Sequence, residues 1–505
     1  MLKAAGIFQD HMILQRGKSL TIWGTGTPGK TVTARIQGKS GRAVTGTDGN
    51  WRLELPQLEA SGKEQLVIES ESGCITCDQV AVGEVWVAGG QSNMEFWMRY
   101  EKHKEEAMKD CPDEDLRFYD VPEISYDGQL DEFDYSRQGF WRKATKEDLE
   151  YFSAVGYYFQ KKLKDELNVP VGIIGCNWGG TSACVWMNPE TVKKAGKPWM
   201  EDYEDRIASM DMEEYWKEQH GNPMNDKGNP FADQFGELIL PGTAKEEELT
   251  AFLSQLPENF EDYIGLQPQA IPGSLYEHML KSIAPYTIKG FLWYQGESDD
   301  VPGRNVLYKD MLSGLTADWR KLWGDETLPF LIVQLPGFGC WLMNTEENHY
   351  PVIRRCQEEA ADSLNDTYLC SISDVGEEKD IHPKDKKTVG SRLALLAWGH
   401  VYGKDILCDA PRAEYAERNK DGLTITFNHA GGGLKIKGDQ LNALQIFAGD
   451  KELVYSAYAE GNQLIIRLNP PSDAPLAVKF AQTSWYQVNL YNQADIPAVP
   501  FEFVL

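Results

Sequence analysis

The sequence predicts an α/β protein with a parallel β-sheet covered by helices on both faces, preceded and followed in the chain by all-β modules. Three observations predict this class. The first part of the chain alternates apolar and polar side chains between turn signals, as antiparallel strands do. From Val82, short apolar runs typical of buried strands alternate with amphipathic helical stretches. After about Cys408 the alternating β pattern returns.

The N-terminal β module is predicted over residues 1–81. Its stretches "SLTIWG" and "KTVTARIQG" alternate in polarity, and "TPGK" and "TDGNW" are turn signals. About six short strands with no helical stretch indicate a sandwich-like module.

The α/β domain is predicted over residues 82–408. Several of its apolar runs have no polar face, which is typical of parallel strands covered on both sides. These runs are "EVWVAGG", "VGIIGCN", "IKGFLWYQ", "LPFLIVQLPG" and "TYLCSIS". Residues 189–272 interrupt the pattern with a segment rich in acidic and aromatic residues, which we predict to be a helical insertion. Residues 409–505, with "GLTITFNHAGGGLKIKG" and "NQLIIRLN", are predicted to form a C-terminal β module.

Composition limits the partners that we expect. The chain has 505 residues and a formal charge of −27. Such a charge repels phosphate backbones and anionic lipids, so we expect no nucleic-acid and no membrane partner. No apolar run approaches the roughly 20 residues of a membrane span. Oligomerisation is left open by the sequence.

The start of the chain and its cysteines bear on the compartment. "MLKAAGIFQDHMILQRGK" lacks the long apolar segment of a signal peptide, so we expect a cytoplasmic protein, or a secreted one if a leader has been removed. The nine cysteines are odd in number and scattered, which argues against a disulfide framework and fits a reducing compartment.

Small polar residues and glycines follow the predicted strands where a ligand would bind. In a parallel α/β sheet, ligands lie beyond the carboxyl ends of the strands. Gly89-Gly90-Gln91-Ser92 follows the first run, Gly179 and Gly180 follow the second, and Gln295 follows the third. Asp380 and His382 come late in the domain, just before a helical stretch.

These residue types are the ones that acyl transfer requires. A serine hydroxyl becomes a nucleophile when a base accepts its proton, and we assign these roles to Ser92 and His382. Asp380 is the candidate that orients the imidazole. Negative charge on the tetrahedral intermediate needs preorganised donors. Candidate oxyanion donors are the backbone N–H groups of Ser92, Gly179 and Gly180 and the side-chain amide of Gln295.

The context of Ser92 argues against one common fold of serine esterases, the usual α/β-hydrolase fold. The usual α/β-hydrolase carries its nucleophile in a G-x-S-x-G turn. Here the sequence reads Gly90-Gln91-Ser92-Asn93-Met94, with Met in place of the second glycine.

Four motifs together resemble the sialate O-acetylesterase group of the SGNH (GDSL-like) hydrolases. They are "GQSNME", "GGT....W", "WYQGESD" and "DIHP.DK..VG.RLA". "FQDHMILQR" near the start and "HAGGGL" and "NLYN....PAVPF" near the end are similar to the flanking β regions of that group. The resemblance covers nearly the whole chain except the insertion, which has no counterpart in it.

The resemblance implies a flavodoxin-like sheet and a role for each matched residue. Ser92 matches the nucleophile, His382 the base and Asp380 the acid before it, while Gln295 stands where many SGNH esterases have Asn. In many SGNH enzymes the acid lies three residues before the histidine, where this chain has Lys379, so a Ser–His dyad stays open. Further residues of these motifs are candidates for substrate contact or for support of the site: Gln91, Asn93, Glu297, Arg354 and Gln357.

The sequence therefore predicts a serine esterase that removes acetyl groups from carbohydrates without a cofactor or a metal. The histidines show no metal-ligand spacing among themselves. The substrate is expected to be an O-acetylated mono- or oligosaccharide: an O-acetylated sialic acid, or a fragment of acetylxylan or acetylmannan. A peptidase or lipase, and a non-catalytic carbohydrate-binding protein, are the alternatives from other classes.

Overall fold

The structure, a computed structural model, describes residues 1–222, 225, 230–254, 266–341 and 348–505. Its contacts divide the chain into two compact units. The first unit comprises residues 1–295 and 310–330, and the second comprises 296–309 and 331–505.

The first unit begins with seven strands. They are β1 (Lys3–Ala4), β2 (Ile13–Gln15), β3 (Leu20–Thr25), β4 (Thr31–Ile36), β5 (Lys39–Val44), β6 (Asn50–Leu55) and β7 (Ser61–Ser70). β1, β3 and β6 form one antiparallel sheet, and β4 pairs antiparallel with both β5 and β7. Inward residues such as Val32, Leu53 and Leu55 are buried, as the predicted alternation requires.

Strand β8 (Gly73–Gly90) links this β region to the α/β core. Its first part pairs antiparallel with β7, and its last seven residues pair parallel with a core strand. Residues 80–90 are buried without exception, because this half of the strand is covered on both faces. The β module and the core therefore share one continuous strand, which crosses the predicted boundary at residues 81 and 82.

The core of the first unit is a sheet in the order β10-β9-β11-β8-β12. The added strands are β9 (Asp113–Asp120), β10 (Trp141–Ala144), β11 (Val171–Asn177) and β12 (Gly290–Tyr294). β9, β11, β8 and β12 are parallel, and β10 is an antiparallel edge strand. The predicted α/β class is confirmed, with the difference that the sheet is mixed at this edge.

Helices and short helical turns connect these strands. The α-helices are α1 (Ser92–Glu95), α2 (Lys104–Lys109), α3 (Gln129–Glu132), α4 (Lys146–Leu149) and α5 (Ala154–Leu167). Helix α5 begins where Ser153 accepts a hydrogen bond from the Gly156 N–H, and it ends at Asn168 in a left-handed conformation.

The described part of the predicted insertion is helical. It contains α6 (Pro189–Ala195), α7 (Lys197–Ala208), α8 (Met212–Gln219), α9 (Pro230–Ile239) and α10 (Glu246–Leu253). A π-helical turn (Tyr276–Leu280), α11 (Lys281–Ile283) and, after β12, α12 (Tyr308–Trp323) follow. Residues 223–224, 226–229 and 255–265 of the predicted insertion lie outside the described residues.

The second unit carries the end of the α/β pattern. Its elements are β13 (Phe330–Val333), α13 (Tyr350–Ser363), β14 (Thr367–Cys370) and α14 (Lys386–His400), with β13 beginning at the border of the units. The Gln334 N–H donates to the Cys370 carbonyl at 3.0 Å, so β13 and β14 lie side by side.

Ten strands follow α14 and form a β module. They are β15 (Arg412–Asn419), β16 (Gly422–Asn428), β17 (Lys435–Ile436), β18 (Leu444–Ala448), β19 (Lys451–Glu452), β20 (Tyr455–Glu460), β21 (Gln463–Leu468), β22 (Leu476–Phe480), β23 (Leu490–Tyr491) and β24 (Phe501–Val504). The sheets β15-β16-β21-β20 and β19-β18-β22-β24 enclose a core that includes Ile425, Ile446 and Phe480. In the described part of the chain, no helix is long and apolar enough to cross a membrane.

Candidate active site

Strand register brings three predicted segments to one edge of the sheet in the first unit. Gly90, the last residue of β8, pairs with Asn177 of β11 on one side and with Tyr294 of β12 on the other. All three residues end parallel strands. The segments that follow them therefore leave the sheet together, at the edge where α/β proteins bind ligands.

The two glycines at the end of β8 are required by close neighbours. A Cβ atom on Gly90 would lie 2.1 Å from the carbonyl oxygen of Tyr294, and the φ of Gly90 is +141°. A Cβ atom on Gly89 would lie 2.5 Å from the indole of Trp319. Only glycine fits both the space and the backbone conformation immediately before the predicted nucleophile.

We expect Gly90→Ala to destabilise the protein by at least about 2 kcal/mol, because the methyl group meets backbone and the φ is unfavourable. Chemical denaturation measures this change. Gly6→Ala is the matched control, since a Cβ atom on Gly6 meets nothing within 4 Å. Equal stability of the two variants would show that the end of β8 tolerates a side chain.

Ser92 is the first residue of α1 and is partly exposed, whereas Gln91 and Asn93 on either side of it are buried. Gln91 occupies the N-cap position and its carbonyl accepts the N–H groups of Met94 and Glu95. Ser92 is therefore not the residue that caps the helix. Its hydroxyl lies in the turn between strand and helix, where a nucleophile is accessible.

The glycine loop after β11 lies next to Ser92, which fills the space that a side chain on Gly179 would need. A Cβ atom on Gly179 would lie 3.3 Å from the Cβ atom of Ser92. The Gly179 N–H donates to Glu95 Oε2 at 2.8 Å, so this donor already has an acceptor. Gly180, exposed and with φ at +72°, follows it. Glu95 thus holds the loop against α1.

Gln295 connects all three segments from a fully buried position. Its Nε2 donates to Gln91 Oε1 and to the Thr181 carbonyl, both at 3.1 Å. An amide nitrogen has two hydrogens, so these bonds use both. Donation from Gln295 to an oxyanion would require exchange of one of them. In this geometry Gln295 positions the loops of Ser92 and Gly180.

Asp380 and His382 lie together in a buried loop of the second unit. The His382 backbone N–H donates to Asp380 Oδ1 at 2.8 Å, and Lys384 Nζ donates to Asp380 Oδ2 at 2.7 Å. The distance from His382 Nδ1 to Asp380 Oδ1 is 3.9 Å, too long for a hydrogen bond. Asp380 therefore shapes the loop backbone instead of binding the imidazole.

Burial keeps the His382 imidazole neutral. Desolvation, reinforced by the nearby cations Lys386 and Lys384, lowers the pKa of His382 to about 3. Trp341 meets the imidazole edge to face, with ring centroids 5.3 Å apart. A neutral imidazole is the form that accepts a proton from a serine hydroxyl.

Three residues near Ser92 or His382 in the chain were not predicted from the sequence: Glu95, Lys384 and Lys386. Lys386, the first residue of α14, is fully buried. Burial lowers the pKa of its ammonium group to about 7, although the negative charge of Glu297 acts in the opposite direction. Glu95 stands in "GQSNME" and both lysines stand in "DIHPKDKK". Their proximity to Ser92 and His382 in the chain was the available signal.

Arg354 and Gln357, on α13, make structural contacts within the second unit. The Arg354 guanidinium donates to the carbonyls of Pro336, Ala481 and Thr483 at 3.2, 3.3 and 2.6 Å. Gln357 Oε1 accepts the Leu335 N–H at 2.9 Å. Both residues anchor α13 to backbone.

We expect Asp380→Asn to lower kcat by less than about 100-fold, whereas loss of an acid that orients the base costs about 10,000-fold. The reason is the 3.9 Å separation between Asp380 Oδ1 and His382 Nδ1. Steady-state acetate release measures the effect. A 10,000-fold loss with unchanged stability would establish a triad instead of a dyad.

Comparisons with known proteins show which enzymes the chain is similar to. Residues 259–398 match the profile of the SASA family, described as a carbohydrate esterase, sialic acid-specific acetylesterase. This region includes Gln295, Asp380 and His382. The sialate O-acetylesterase of Mus musculus is 26% identical over 548 residues, covering 98% of this chain and 93% of that protein. The Homo sapiens sialate O-acetylesterase is 24% identical, covering 98% and 91%.

Among solved structures, a carbohydrate acetylesterase from Xanthomonas citri superposes with a TM-score of 0.76 at 25% identity, covering 99% of each chain. These likenesses confirm the predicted family resemblance and fold class. They also confirm the predicted enzyme class, an ester hydrolase.

Proposed function

We propose that the chain, a carbohydrate O-acetylesterase related to the sialate O-acetylesterases, removes acetyl groups from sugars through an acetyl-enzyme on Ser92. The observation that carries this proposal is the register of β8 with β11 and β12. Ser92, the glycine loop and Gln295 all follow strands that end at one sheet edge in this register.

The first step forms the covalent intermediate. The neutral imidazole of His382 accepts the proton of the Ser92 hydroxyl while its oxygen attacks the acetyl carbonyl carbon. The backbone N–H groups of Ser92 and Gly180 are our assigned donors to the oxyanion. Collapse of the tetrahedral intermediate expels the sugar oxygen, which takes the proton from the imidazolium.

The second step regenerates the enzyme. His382 accepts a proton from water as the water oxygen attacks the acetyl-enzyme. The tetrahedral intermediate collapses to acetate, and the proton returns to the Ser92 oxygen. The acyl group is small, so specificity resides in the surfaces that hold the sugar.

Acetate release from a panel of substrates tests the proposal. The panel contains O-acetylated sialic acid, acetylated xylo-oligosaccharides, acetylated manno-oligosaccharides and p-nitrophenyl acetate. We expect release from at least one acetylated sugar, and the substrate with the highest kcat/KM identifies the sugar class. If the folded protein releases acetate from none of them, the esterase proposal is wrong.

We also propose that the enzyme works in a reducing compartment such as the cytoplasm. All nine cysteines are free thiols, and six of them are buried. Cell fractionation with an antibody against the chain tests this location, and recovery in the culture medium would contradict it.

A further inference from the structure

A cavity of about 210 Å³ lies at the ligand-binding edge of the sheet in the first unit. Its lining includes Asp120 and Asn177, the last residues of β9 and β11, and Glu95 of α1, which follows β8. Pockets for drug-sized ligands span about 300–1,000 Å³, so this cavity suits one sugar ring.

Glu95 connects the cavity with the segment of the proposed nucleophile. It lines the cavity, belongs to the same short helix as Ser92 and accepts the Gly179 N–H. We therefore assign the cavity to a sugar of the same substrate whose acetyl group Ser92 removes.

The chemistry of the lining matches a sugar. The aromatic rings of Trp97 and Tyr151 line the cavity, with centroids 5.6 Å apart. The guanidinium groups of Arg99 and Arg137 lie over the Tyr151 ring, 4.9 and 4.8 Å from its centroid. Trp97 is therefore our candidate for the ring against which the C–H face of a pyranose packs. Carboxylates accept hydrogen bonds from sugar hydroxyls. Walls of aromatic rings and acceptors surround the same space.

Most of the charged groups that line the cavity are carboxylates. Four carboxylates line the cavity against one guanidinium: Glu95, Asp120, Glu123, Asp134 and Arg137. Arg142 donates to Asp120 and compensates its charge, and carboxylates still outnumber guanidinium groups. The excess of carboxylates in the cavity repels a sugar that carries a negative charge and does not repel a neutral sugar.

We propose that this cavity binds a neutral sugar residue of the acetylated substrate and disfavours sugars that carry a carboxylate, such as sialic acid. This inference rests on the proposed function and specifies its substrate class.

A second cavity, of about 520 Å³, shares the lining residues Trp97 and Arg137 with the first. Its lining also includes Glu237 of α9, which forms an ion pair with Arg99 at 3.0 Å. The helical insertion thus contributes to the second cavity, which we assign to the next sugar of a neutral oligosaccharide.

A matched pair of substrates tests the charge preference: O-acetylated sialic acid and its C1 carboxamide, which differ in one charge. We expect kcat/KM for the carboxamide to exceed that for the acid by about fivefold or more at low salt, as expected for repulsion at several ångströms in a partly aqueous site. The difference shrinks in 0.5 M salt, where the Debye length is about 4 Å. Equal values, or preference for the acid, overturn the inference while the esterase function stands.

Charge variants locate the effect in the cavity. Asp134→Asn, alone and with Glu123→Gln, should reduce the ratio of kcat/KM for the carboxamide to kcat/KM for the acid. Arg137→Gln should increase this ratio. Asp450→Asn with Glu460→Gln, two exposed acids of the C-terminal β module, is the matched control and leaves it unchanged. Asp134 is exposed, so Asp134→Asn should fold and allow the ratio to be measured even if the variant of the buried Glu123 does not fold. No change with Asp134→Asn and Arg137→Gln overturns the assignment to this cavity.

Failure of the esterase function is distinguishable from failure of this inference. If no substrate of the panel releases acetate, the proposed function is wrong. Calorimetric titration of the sialic acid and its carboxamide into the wild-type protein then measures the charge preference directly. Tighter binding of the carboxamide supports the neutral-sugar cavity, and equal or weaker binding rejects it.

Discussion

Ser92→Ala will abolish acetate release, with a loss in kcat of about 10,000-fold or more, because removal of a serine nucleophile leaves only binding and oxyanion stabilisation. Ser92 is partly exposed at the start of α1, and its Cβ atom fills the space that a side chain on Gly179 would need. Loss of one oxygen leaves the Cβ atom in place, so the variant should unfold at the same temperature as the wild type.

The control for Ser92→Ala is Ser456→Ala, an exposed serine on β20 of the C-terminal module, which should retain full activity. Acetate release and thermal unfolding are measured on both variants. Mass spectrometry after rapid quenching should show a gain of one acetyl group on the wild type and none on Ser92→Ala. A Ser92→Ala protein with more than a tenth of wild-type activity would place the nucleophile elsewhere.

His382→Gln will lower kcat by about 1,000-fold or more, because the general base is lost. Glutamine keeps a polar side chain of similar reach, which limits the damage to this buried loop. His278→Gln, at a partly buried histidine on the π-helical turn, is the matched control and should keep its activity. Comparable activities of His382→Gln and the wild type would remove His382 from the mechanism.

The pH dependence of the wild type gives a second test of His382. The active form is the neutral imidazole, and burial with Lys386 and Lys384 lowers its pKa to about 3. An ordinary histidine with a pKa of about 6.5 is roughly 97% protonated at pH 5. We therefore expect kcat/KM to stay level from pH 8 to pH 5 and to fall only as the pH approaches 3. A midpoint near pH 6.5 would contradict the assigned environment.

The sequence by itself determined the fold class and the main chemical groups. Apolar runs without a polar face predict parallel strands wherever they occur, because the pattern is local and needs no knowledge of neighbours. For the same reason Gly90 and Ser92 after the run ending at Ala88 already indicated a ligand-binding turn. His382 was found through its motif, since "DIHP" is contiguous in the chain.

Only the tertiary structure decided how these groups are used. The need for glycine at position 90 comes from the Tyr294 carbonyl, two hundred residues away in the chain. The engagement of the Gln295 amide by Gln91 and Thr181 depends on three loops meeting at one edge. Whether Asp380 forms a hydrogen bond with the imidazole depends on a difference of about one ångström in the distance between their side chains. The spacing of the two residues in the sequence does not determine that distance.

The charge of the sugar cavity shows the same division. The acidic composition of the chain is visible in the sequence, but it is spread over 77 Asp and Glu residues. Folding brings Glu95, Asp120, Glu123 and Asp134 around one space, with Trp97 beside them. Electrostatic selection acts through distance in space, and the path of the chain sets that distance. The sequence therefore determined the kind of reaction, and the tertiary structure decided which charged groups and aromatic rings line the cavity.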